Sequence, residues 1–184
     1  MNARRTILLA VLLLAFASAG RADDKDSKGP TISDQIVRQT SSVLLEDPLN
    51  KSARDWARLI LLYTQQKSNV EVLFGSEELR WSGVEKGDPS SLLLLAAYAA
   101  GNIQSQLNSG VKRNDRYSGL LTLFRVYRAL REKNAQFRIA AVEDLLARHK
   151  EAKLTPHLQK LEEKKSAPLT PAEEAALRNL LRPR

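Results

Sequence analysis

The chain of 184 residues contains no cysteine. That absence excludes a disulfide framework, a thiolate nucleophile, a cysteine-based zinc site and a lipidated N-terminal cysteine. Histidine is nearly missing too, with His149 and His157 only. Aromatics make up 5% and glycine 8 residues, and a collagen-like chain is excluded. No G-x-S-x-G elbow, phosphate-cradling G-x-x-x-x-G-K-[ST] or G-x-G-x-x-G loop, or H-E-x-x-H zinc motif occurs. The core must therefore be held by burial alone, which a domain of roughly 150 residues can manage.

What is present begins at the N-terminus. Arg4 and Arg5 precede an uncharged apolar run, Thr6 to Phe16, followed by Ala17-Ser18-Ala19, Gly20-Arg21-Ala22 and then acidic residues. This basic, apolar, small-residue order predicts a secretory signal peptide over 1–22, cleaved after Ala19 or Ala22. The run is shorter than the roughly 20 residues that cross a hydrocarbon core. Removing those residues takes away three arginines and no acid, so the net charge falls from +8 to +5. Residues 23–30 read as a flexible polar leader, 31–150 as the helical core domain and 151–184 as loosely docked short helices.

From Thr31 onward the periodicity is helical. The expected fold class is all-α: six to eight helices as an irregular helical bundle or short α-solenoid. Thr31 with Asp34 resembles a capping box, and Ile32, Ile36 and Val43 share a face. Asp47-Pro48, Asp88-Pro89, Thr155-Pro156 and Thr170-Pro171 read as helix starts, since an Asp or Thr accepts orphan N–H bonds and proline has none to lose. Leu49, Ala53, Trp56, Ile60 and Tyr63 form one apolar stripe. Ser76 is expected to cap a short helix reaching Trp81. Leu92 to Ala100 is apolar on every side, which predicts the most buried helix. The next helix is capped by Asn114 or Asp115 and broken at Asn134. Another runs from Phe137 to Lys150. Val70 to Phe74 is the best strand candidate.

Three windows share one spacing at positions 0, 3, 4 and 7: Trp56-Leu59-Ile60-Tyr63, Ser91-Leu94-Leu95-Tyr98 and Leu120-Leu123-Phe124-Tyr127. The pattern resembles the first helix of a tetratricopeptide repeat. Where that family has a small residue, this chain has Ile60, Leu95 and Phe124. The resemblance covers these windows alone and implies stacked helix pairs with a groove for a peptide or protein.

The most biased segment is Lys112 to Arg138, with eight cations against Asp115 and Glu132. Arg125, Arg128 and Arg131 step by three along the helix of Tyr127. They are the expected partner-binding residues, facing a protein, a peptide or another anionic surface. Export makes nucleic acid an unexpected partner. The pairs Glu77-Glu78, Glu162-Glu163 and Glu173-Glu174 sit at helix starts or in charged stretches, and Trp81 near Glu77 and Glu78 is the one sugar-platform candidate. No catalytic residue, metal site or cofactor is expected. Asn50-Lys51-Ser52 matches a glycosylation acceptor by chance.

These features lead to a non-catalytic interaction or structural module of the cell envelope, exported to the periplasm or the exterior. The competing reading is a small envelope hydrolase using carboxylates or a His-based metal site. Oligomeric state is left open.

Overall fold

The structure is a computed structural model that describes residues 31–66, 69–83, 90–163 and 170–181. The signal segment, the leader and Asp88-Pro89 lie outside them. Eight helices occupy the described residues, with no strand among them. They are α1 (Asp34–Glu46), α2 (Ala53–Gln65), α3 (Ser76–Ser82), α4 (Ser91–Ser109), α5 (Arg116–Lys133), α6 (Ala140–Lys150), α7 (Leu154–Glu163) and α8 (Pro171–Leu181).

The all-round apolar helix is the hub. Every residue from Ser91 to Ile103 is buried, and α1, α2, α3 and α5 all pack against α4. A helix with no polar face can satisfy its surface only by being enclosed, as the sequence predicts. The α4–α5 crossing is especially close. A Cβ on Gly101 would stand 2.3 Å from the Ser118 carbonyl oxygen, and one on Gly119 would stand 2.7 Å from the Tyr98 ring. Thr122 uses that proximity to donate its hydroxyl to the Ala97 carbonyl at 2.6 Å. Arg38 of α1 donates to the Leu107 carbonyl and the Asn108 side chain at the end of α4, a favourable place for a cation beside orphan carbonyls.

Several local expectations shift. The first cap is Ser33, whose Oγ accepts from Ile36 N–H at 3.3 Å, rather than Thr31. The buried face of α1 is Val37, Thr40, Ser41, Leu44 and Leu45, with Ile32, Ile36 and Val43 half-buried. Asp47-Pro48 does not open α2. Asn50 donates to the Asp47 carboxylate and accepts from Ser52 N–H, both at 3.0 Å, which holds residues 47–52 in turns. Such side-chain bonds compete with helix formation, so α2 starts at Ala53. Gly75, not Ser76, caps α3. The α6 helix starts at Ala140, three residues after Phe137.

Val70 to Phe74, the strand candidate, forms no strand. A side chain replaces the missing neighbour: Gln106 accepts from Glu71 N–H at 2.9 Å and donates to the Glu71 carbonyl at 2.7 Å. Asn114 accepts from Leu73 N–H at 3.2 Å. Gln106 also accepts from Arg113 N–H, and Asn102 accepts from Asp115 N–H. Three amide side chains thus satisfy two loops that cross α4, meeting the requirement that buried backbone groups be paired.

Candidate functional site

The basic stripe lies on α5, which is capped at its start by Asp115 accepting from Ser118 N–H at 3.0 Å. Its inner face buries Leu120, Leu123, Phe124, Val126, Tyr127 and Leu130. Arg125 and Arg128 fall outside and are exposed. Arg131 does not join them. It is half-buried and pairs with Glu143 of α6 at 2.8 Å, because a three-residue step drifts around the helix and the third member meets the neighbouring α6. What shares the outer face instead is Tyr117 and Leu121, each 38% exposed. Tyr117, Leu121, Arg125 and Arg128 step by four, four and three, so they fall on one side of the helix. The exposed Glu132 comes one turn later. Neither Arg125 nor Arg128 makes an ion pair among the described residues.

The three tyrosines of the shared spacing are buried, and each donates its hydroxyl to a carboxylate. Tyr63 reaches Asp34 at 2.7 Å, Tyr98 reaches Glu78 at 3.5 Å and Tyr127 reaches Glu143 at 2.7 Å. Tyr127 also accepts from Ile139 N–H at 3.1 Å, joining α5 to the start of α6. Burial raises the Tyr98 and Tyr127 hydroxyls above the usual phenol value.

The strongest electrostatic feature escaped sequence reasoning. Arg116 Nε lies 2.9 Å from Glu78 Oε1, and the two side chains are 4% and 1% exposed. Glu78 Oε2 accepts from Gly75 N–H at 2.9 Å. Phe74 and Trp81 flank the adjoining Tyr98 ring at centroid distances of 6.0 and 6.3 Å. Burial pushes the Glu78 carboxyl up, and the Arg116 charge and the Gly75 bond oppose it. Perturbed carboxyls mark functional sites when they line a cleft. This one is enclosed. The one available signal was Glu78 three residues after the helix-capping position, which suited an exposed role equally well.

The remaining acids and histidines do not converge. Glu77 lies 3.6 Å from Arg80, Glu173 accepts from Thr170 N–H and Glu174 pairs with Arg178. The Glu162-Glu163 side chains lie outside the described residues. Trp81 is buried and offers no sugar platform. His149 packs against Tyr117 and Phe124, with ring centroids 6.2 and 5.8 Å away. His157 is shifted down by burial and then by the Arg148 charge. Among the described residues no three of His, Cys, Asp or Glu are grouped to hold a metal, and no helix there is long and apolar enough to cross a membrane.

No family model, curated protein or solved structure matches this chain.

Proposed function

We propose that this chain is an exported, non-catalytic helical module of the cell envelope that docks an acidic protein surface through the outer face of α5. The observation that supports this is the alignment of exposed Tyr117 and Leu121 with Arg125 and Arg128 on one side of a helix whose other side is core. Tyrosine and arginine are enriched among the residues that carry binding energy. An apolar pair beside two exposed cations supplies both burial and charge complementarity. Of the paired carboxylates that the hydrolase reading draws on, the described ones serve in a cap, in surface pairs and in an enclosed ion pair.

The test places a photo-crosslinking amino acid at Leu121 and compares the wild type with Arg125→Glu/Arg128→Glu in living cells and at two salt concentrations. A single crosslinked envelope protein is expected, lost on charge reversal and weakened by salt, since exposed charges are screened beyond about 10 Å at 0.1 M. A crosslink indifferent to salt and to charge reversal, or transfer of the signal to anionic lipid, counts against the reading.

A further inference from the structure

Leu130 lies nine residues after Leu121 on α5, half a turn round from the docking face. It helps form an open cleft of about 480 Å³, bounded by the 48–54 segment, the start of α4 and the turn after α5. The size falls within the about 300–1,000 Å³ typical of ligand sites. Leu93 and Leu130 form its nearly buried floor, with Phe137 half-buried beside them. Lys51, Arg54 and Lys133 also line it and are exposed, and no acid is among its described lining residues. None of these cations makes an ion pair among the described residues. Asp47, at the base of the same turn, is already bonded to Asn50.

Three like charges around an apolar floor repel one another and favour an anion between them. The anion must bring an apolar group with it, because the floor is otherwise left wet. Asn134 adds a polar wall. Its side-chain oxygen accepts from Gln136 N–H at 3.1 Å, which leaves its NH2 to donate to a ligand carbonyl. We propose that this cleft binds the free C-terminal carboxylate of a peptide whose last side chain is apolar. Lys51, Arg54 and Lys133 receive the carboxylate, the floor takes the last side chain, and Asn134 holds the backbone. This site is independent of the α5 face.

The experiment measures fluorescence anisotropy of labelled Ser-Gly-Ser-Ala-Leu with the purified protein, as the free acid and as the C-terminal amide. Saturable binding of the acid is expected, with the amide at least about tenfold weaker, the cost of losing a charged contact worth one decade. Lys133→Gln and Arg54→Glu each weaken the acid several-fold while the protein stays folded, since both residues are exposed. Decanoate serves as competitor and displaces the peptide poorly. Equal binding of acid and amide, no saturable binding of the acid, or indifference to both substitutions overturns the proposal. Decanoate binding more tightly than the peptide overturns the assigned occupant.

Discussion

Two carboxylates in this protein behave oppositely because their surroundings differ. Glu78 is enclosed with Arg116, and removing one member of a buried pair strands the other charge. Arg116→Met is expected to cost about 3–5 kcal/mol, whereas Glu78→Leu/Arg116→Met recovers part of that loss, the remainder reflecting the Gly75 N–H and Tyr98 hydroxyl that lose their acceptor. Urea unfolding midpoints of the two variants check it, and a double variant as unstable as the single one contradicts it. Asp115 is half-buried. Burial raises its pKa, but hydrogen bonds from Ser105 and from the Ser118 N–H and hydroxyl outweigh that, so the net shift is downward from 3.8. The unfolded chain then binds the proton more readily than the native one, so stability rises with pH across the window. The contribution is complete above pH 3.8 and fades as pH falls through the lower native value. Accordingly, the stability difference between wild type and Asp115→Asn is expected to shrink in acid below that point. A difference that stays constant there removes Asp115 as its source.

A helix contact at one position and a left-handed backbone at another reverse the usual ranking of glycine and alanine. In an exposed helix interior, alanine is better than glycine by about 1 kcal/mol. At Gly101 the added Cβ meets the Ser118 backbone at 2.3 Å, which cannot turn away as a side chain would. Gly101→Ala is therefore expected to lower Tm, by the overpacking cost of about 1–3 kcal/mol. The same preference for glycine holds at Ala152, two residues past the end of α6, with φ 56°. Its N–H reaches the His149 carbonyl and the Lys153 N–H reaches the Arg148 carbonyl, the paired bonds of a helix ending that favours glycine. Left-handed strain of about 1–2 kcal/mol exceeds the entropy that glycine adds to the unfolded chain, so Ala152→Gly is expected to raise stability by up to about 1 kcal/mol. Calorimetry of both variants reads the two signs, and a shared sign refutes one of them.

On the scale of the molecule, the N-terminal order of charge and hydropathy gives an expectation separate from the fold. Intact mass of protein from the envelope fraction is expected to place the first residue at Gly20 or Asp23, and the full chain recovered from the cytosol refutes it. The all-α architecture was legible because apolar steps of three and four residues report a helix without reference to neighbours. Leu92 to Ala100 was legible for the same reason, since no partner need be known to see that such a helix is enclosed. The 70–74 segment was not legible: its apolar residues suggested a strand, but the group that meets its backbone is the side chain of Gln106, distant in sequence. The stripe on α5 divided likewise. Spacing put three arginines along one helix, yet only the position of α6 decided that Arg131 meets Glu143 while Arg125 and Arg128 are exposed. Helix type and amphipathic face follow from the periods of the chain itself. The Glu78–Arg116 pair, the close α4–α5 crossing and the cationic cleft depend on which elements meet, and only the tertiary packing of residues far apart in sequence sets that.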